Sequence, residues 1–508
     1  MFKQLLLIAA TLMASAELFA VEYLVKYKPT MGGYSQVLSM HGLAVEDLNV
    51  NAALMKVDIP KGREAEVVAQ LYQQGGVEYI VPNSRVHAFT APVDTQALQA
   101  QWHIAKIKAE QAWAKAGNKG SRKVIVAVID TGVDYNHPSL KDNAIAGYDF
   151  NSNDNDPMDV TSSQNPGHGT HCAGIIGATG VVEGGTVGMS PEVSIMPIRF
   201  LNENGGGDLN NGIKAIDYAI SKKVDVISAS WGAAISRSQA KPLIEAVERA
   251  TKAGIIFVAA AANDGKNNDS YEVYPANTNV EGFISVAASG PSDEKPSWSN
   301  YGPKMVHLAS PGLDIVSTLP GGKYQKMSGT SMATPLVAGL IAFLKAQDSS
   351  LTGPQVTAIL QTTGANVSIQ TQCNCRIDAL AATEMIVDKK MYMVPAAGTY
   401  KKNDTVKLQS YNAKGSVQYQ SSNEGVLKVS TDGTMTAGQN GDAVITATDS
   451  NGNKVSSKTF HVGAATSNPD PGNPDPGNPG TPTDCPFEDP MACQAACVIM
   501  PEMPWCNK

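Results

Sequence analysis

Between residues 124 and 288 the chain alternates short, continuously apolar runs with longer amphipathic ones, and this alternation restricts the possible folds more than any other feature. The apolar runs are Val124–Ile129, Val193–Leu201, Asp225–Trp231, Ile255–Ala262 and Phe283–Ala288. Between them lie helix candidates over 208–222 and 239–253, the second carrying Leu243, Val247 and Ala250 on one face. A strand that is apolar on both sides must be covered on both faces, and parallel strands need crossover helices that supply the cover. The pattern therefore predicts an α/β unit over residues 91–387, a mostly parallel sheet with helices on both faces. Reactive groups in such a sheet gather at the carboxyl ends of its strands.

The flanks read differently. Lys3, an uncharged run to Ala16, and Ala14, Ala16 and Ala20 describe a secretory signal over 1–20. The run is shorter than the roughly 20 apolar residues a membrane span needs. Residues 21–90 predict a small α+β module: Tyr23, Val25 and Tyr27 alternate as a strand, and Val67, Val68 and Leu71 mark a helix. Residues 388–463 carry short alternating segments with Asp432-Gly433 and Asn440-Gly441 turns, which predicts a small β-sandwich. A Pro/Gly-rich linker over 464–484 repeats Asn-Pro-Asp-Pro-Gly and favours an extended spacer. The tail, 485–508, holds Cys485, Cys493, Cys497 and Cys506, and is too short to fold without disulfides. The net charge of −8, with only 17% charged residues, argues against nucleic acid as a partner.

Three segments carry chemistry. The run Val124–Ile129 ends in Asp130; Gly167-His168-Gly169-Thr170-His171-Cys172 follows; Gly329-Thr330-Ser331 opens an apolar helix over Leu336–Leu344. Each alone has a plain explanation as a cap, a packing pair or a helix start. Together they supply a nucleophile, a base and a carboxylate to orient the base. No Glu stands between the histidines as a zinc hydrolase requires, and no G-x-S-x-G follows a strand as an esterase requires. In the order Asp, His, Ser, these motifs and their flanks resemble the subtilisin-like serine proteases over about 300 residues.

The resemblance implies a secreted serine endopeptidase that needs no cofactor for its chemistry, with Ser331 as nucleophile, His168 as base, Asp130 as its orienter and Asn263 as an oxyanion donor. It assigns His171 no chemical step, and it likens Cys172 to a buried free thiol behind the catalytic histidine. It implies that Ser230, Trp231 and Gly232 on one side, and Gly205, Gly206 and Gly207 on the other, pair with an extended peptide substrate, giving broad specificity. Ala262, where the family has glycine, and Val273 add volume and predict small or medium apolar side chains at the residue before the cut. Asp149, Asp154 and Asp156 resemble a calcium loop, an arrangement of oxygen ligands that suits a structural Ca²⁺. Residues 21–90 resemble an inhibitory propeptide, so the chain's own propeptide is an expected partner beside polypeptide substrates. Residues 388–463 resemble bacterial group 2 immunoglobulin-like domains, which act as spacers or bind surfaces or insoluble ligands. The alternative from another class is a surface adhesin built on an inactive protease scaffold.

Overall fold

The computed structural model describes residues 20–28, 43–49, 52–73, 75–89, 101–180 and 185–463. The signal segment, the proline-rich linker and the cysteine tail, with the disulfides expected there, lie outside the described residues.

The central feature is a nine-stranded sheet. Its order is 365–366, 375–376, 308–311, 283–289, 256–260, 226–229, 125–130, 194–199 and 148–149, parallel except for the first pair. All five apolar runs form strands in it. The period of two along strand Ile125–Asp130 sorts its side chains between two cores. Val126 and Val128 face the core shared with helices His168–Gly177 and Thr330–Gln347. Ala127 and Ile129 face the core shared with helices Leu209–Ser221 and Lys241–Lys252. The α/β architecture with helices on both faces is thus the one expected. Helix Thr330–Gln347 is apolar all round because it is buried through most of its length.

Residues 20–82 build a four-stranded antiparallel sheet in the order 44–49, 54–60, 20–27, 77–82. Helix Glu64–Gln73 covers one face with Val67, Val68 and Leu71. From the other face Leu24, Leu54, Tyr79 and Val81 pack into the core of helices Leu209–Ser221 and Lys241–Lys252. Glu245 on the second helix accepts from Lys26 Nζ at 2.6 Å and Tyr79 Oη at 2.9 Å.

Beyond helix Ala379–Val387, short strands between Tyr392 and Val462 form four small sheets, the β-sandwich, around Met393, Leu427, Met435, Ile445 and Phe460. This unit is not held apart from the protease core. Tyr392 belongs to that core, takes a hydrogen bond from Gln355 at 3.1 Å and stacks on Tyr411. Lys458 donates to the Gly364 carbonyl at 3.0 Å and to Asn366 Oδ1 at 2.6 Å. Cys373 and Cys375 are joined to each other by a disulfide and buried. Among the described residues no helix is long and apolar enough to cross a membrane.

Candidate active site

Asp130 ends its strand with its side chain buried, and its Oδ1 accepts from His168 Nδ1 at 2.7 Å. The same oxygen accepts from Thr131 N at 2.7 Å, which fixes the carboxylate toward the imidazole. His168 opens a helix whose first N–H groups lack intrahelical partners. Asn165 Oδ1 accepts from Gly167 N at 3.1 Å and His168 N at 2.8 Å, and Thr131 Oγ1 accepts from Gly169 N at 2.9 Å. Burial works against a charge on His168, but the Asp130 carboxylate, helped by Asp159 and the Phe89 backbone, holds the imidazole above its ordinary pKa. Nε2 is buried and makes no hydrogen bond of ordinary geometry, although the Phe89 backbone lies close enough to favour its protonated form.

Ser331 lies in the first turn of helix Thr330–Gln347, and its hydroxyl donates to the carbonyl oxygens of Phe89 and, at 3.0 Å, Ser230. Asn263 Oδ1 accepts from Thr330 N at 3.0 Å and Thr330 Oγ1 at 2.9 Å, which leaves its buried Nδ2 unpaired. A Cβ built on Gly329 would lie 3.1 Å from the Phe89 carbonyl oxygen and 3.2 Å from Asn263 Nδ2. Glycine at 329 thus keeps open the space where that carbonyl, the serine and the amide converge.

The cleft is filled by the chain's own segment. Strand Arg85–Ala88 runs antiparallel between Gly206–Asp208 and Trp231–Gly232. His87 is opposite both Gly206 and Gly232, Val86 is opposite Gly207, and Ala88 N donates to the Gly205 carbonyl at 2.9 Å. Phe89 N donates to the Ser230 carbonyl at 3.2 Å. Trp231 contributes backbone only, since its indole is buried against Phe200.

The phenyl ring of Phe89 packs on Ala262, Val273 and Ala276, with Tyr271 alongside. This corrects the expectation that Ala262 and Val273 restrict the pocket to smaller side chains. Room for the ring comes from Gly232, where a Cβ would stand 2.7 Å from Phe89 Cζ. Ala262 holds a left-handed backbone, φ 89°, that favours glycine, so its methyl is accommodated under local strain.

One further expectation changes. Asp149 is buried; its Oδ2 takes Arg199 Nη1 at 2.9 Å and its Oδ1 takes the N–H groups of Asn151 and Ser152 at 2.7 and 3.1 Å. Asp154 and Asp156 are exposed, and the three carboxylates are not drawn into one ligand set. With Asp149 already neutralised by an arginine, this donor set does not fit a calcium ion. Cys172 is free and buried, donating toward the Ser331 carbonyl at 3.4 Å, and burial pushes its thiol pKa well up, away from the reactive thiolate. His171 Nε2 meets the Gln325 carbonyl at 3.0 Å, and burial holds its pKa down to about 3, a neutral packing role.

The subtilase family model matches residues 121–374. The chain belongs to the subtilase family. It is 37% identical over 277 residues to thermitase of Thermoactinomyces vulgaris, covering 54% of this chain and 92% of that one. It is 42% identical over 248 residues to the major intracellular serine protease of Bacillus subtilis (strain 168), covering 48% and 75%. To the thermophilic serine proteinase of Bacillus sp. (strain AK1) it is 41% identical over 286 residues, covering 56% and 67%. The model of the group 2 bacterial Ig-like domain matches residues 381–460. This subtilase is therefore a serine endopeptidase, a hydrolase carrying a C-terminal β-sandwich module. Sequence reading missed two parts of the site: Thr330, which orients Asn263, and Asp159, buried behind His168. The only signal for either was position, beside Ser331 and nine residues before His168.

Proposed function

We propose that this subtilase is exported as a precursor, cuts itself after Phe89, and acts outside the cell as a broadly tolerant endopeptidase. In this reading residues 21–90 are the inhibitory propeptide, and the β-sandwich and tail add surface or insoluble-ligand contacts. Ser331 attacks the scissile carbonyl while His168 takes its proton and later gives it to the leaving amine. Asp130 holds the imidazole in the tautomer that leaves Nε2 free to accept, and it stabilises the imidazolium. Asn263 Nδ2, unpaired while neutral carbonyls fill the site, donates to the oxyanion together with the Ser331 N–H. Main-chain pairing on two edges tolerates many sequences, and the Phe89 pocket adds a preference for large apolar or aromatic residues before the cut.

The observation that carries this reading is the seating of Phe89. Its carbonyl meets the Ser331 hydroxyl while the strand leading to it fills both substrate edges, the arrangement of a product held in the cleft. Ser331→Ala in the full chain should accumulate unprocessed precursor that retains residues 21–90. Mature-sized protein from this variant, expressed without other proteases, would show that Ser331 is not the nucleophile of the cut.

A further inference from the structure

A buried carboxylate with no part in the mechanism above sits behind the histidine. Asp159 is 4% exposed. Its Oδ2 accepts from Thr170 N at 2.9 Å and Thr170 Oγ1 at 2.6 Å, and its Oδ1 accepts from Thr131 Oγ1 at 2.9 Å. Thr131 Oγ1 in turn accepts from Gly169 N, and Thr131 N donates to the Oδ1 of Asp130 that holds His168. One carboxylate therefore ties the residue after Asp130 to the first turn of the helix that begins with His168. That helix start, whose first N–H groups have no intrahelical partner and whose dipole end is positive, favours an anion.

We propose that Asp159 is a positioning residue for His168: it clamps the Asp130 strand end to the His168 helix and places a second negative charge behind the imidazole. The proposal rests on His168 being the general base.

The surrounding charges leave few alternatives. On the strand end and its turn stand Asp130 and Asp134, but the Asp134 carboxylate is turned to the N–H groups of Gly321 and Asn136. Arg199, opposite Asp130 across the sheet, is tied to Asp149. On the histidine's own helix His171 is held neutral and Cys172 is held as a thiol. Asp130 and then Asp159 are the carboxylates that raise the His168 pKa. Burial, against its three hydrogen bonds, pushes the Asp159 pKa up to about 6. A carboxyl with a raised folded pKa favours the fold below its unfolded value, near 4, and loses that contribution as pH rises to about 6. At neutral pH its charge is thus a cost to the fold, which a purely structural cap would not need to carry.

The test compares Asp159→Asn with Thr131→Val. In the processed enzyme D159N should move the acid limb of kcat/KM to lower pH by about half a unit or more. It should also lower kcat about tenfold with little change in KM. T131V keeps the carboxylate but removes one of the hydrogen bonds that favour its charged form, so it should lower kcat and move the limb less than D159N does. The His168 imidazole titration, followed by NMR in full-length precursor carrying Ser331→Ala, should shift down with D159N and shift less with T131V. An unmoved titration in D159N, or T131V indistinguishable from the parent, overturns the proposal. Asn keeps one acceptor oxygen and turns the other into a donor, so if D159N fails to fold the clamp is tested by T131V alone, and a T131V enzyme with the parent's kcat overturns the proposal. His168→Ala separates the two ideas. If it retains peptidase activity, the base assignment fails; if it is dead while D159N titrates like the parent, only the Asp159 assignment fails.

Discussion

Asn263 shows how one residue's chemistry is prepared by its neighbours. Its carbonyl oxygen is held by both donors of Thr330, so the amide Nδ2 cannot rotate away from the Ser331 side of the cleft. A buried donor without a partner carries a standing desolvation cost, which in the role proposed for Asn263 an oxyanion would remove only during reaction. Asn263→Ala should therefore lower kcat with KM nearly unchanged. The loss expected is about 100- to 1000-fold, the range known for such a donor in a subtilisin. Steady-state kinetics on a peptide ester or amide would check it, and a loss confined to KM would move Asn263 to ground-state binding.

At the scale of elements, the cleft is two strand edges, Gly206–Asp208 and Trp231–Gly232, joined through a third strand. Strand Arg85–Ala88 completes a three-stranded antiparallel sheet, and the ring of the next residue, Phe89, packs in its pocket. Gly232 is where strand and pocket meet, since a side chain there would strike both the Phe89 ring and the Tyr274 carbonyl. Peptide profiling of the parent enzyme should rank Phe above Ala before the cut, by about 10-fold or more on the volume of buried apolar side chain. Gly232→Val should reverse that ranking and slow maturation. A parent enzyme that prefers Ala would mean that the seated Phe89 does not report on substrate choice.

For the whole molecule, the β-sandwich is a packed neighbour of the protease core. Tyr392 is 4% exposed within that core, and Lys458 reaches back to Gly364 and Asn366 at the sheet's edge. Long-range packing of this kind couples the unfolding of two units. Tyr392→Ala should destabilise the full chain by about 3 kcal/mol or more, as large-to-small changes of buried aromatics do. It should also split one thermal transition into two by calorimetry. A single unshifted transition would restore the module to a spacer role.

Much of the protein was legible in the linear sequence where the physics is local. Apolar runs long enough for one strand, amphipathic stretches between them, and motifs whose reactive residue sits at a strand end or helix start identified the sheet. They also identified the family and singled out Asp130, His168, Ser331 and Asn263 as candidates, and the fold brings Asp130 into contact with His168 and sets Ser331 and Asn263 close to the Phe89 carbonyl. What the sequence could not reveal depends on partners far along the chain. Ala262 and Val273 looked obstructive because pocket size was judged from two side chains, whereas Gly232 and Ala276 decide whether a ring fits. Asp149 looked like a calcium ligand because Arg199, its counter-ion across a parallel strand pair, lies 50 residues away. Asp159 drew no reading from the sequence, because Thr131 and Thr170 reach it from either side only in the fold. A residue type and its neighbours limit what a side chain can do, but only the closing of long loops decides which charge, donor or void it meets.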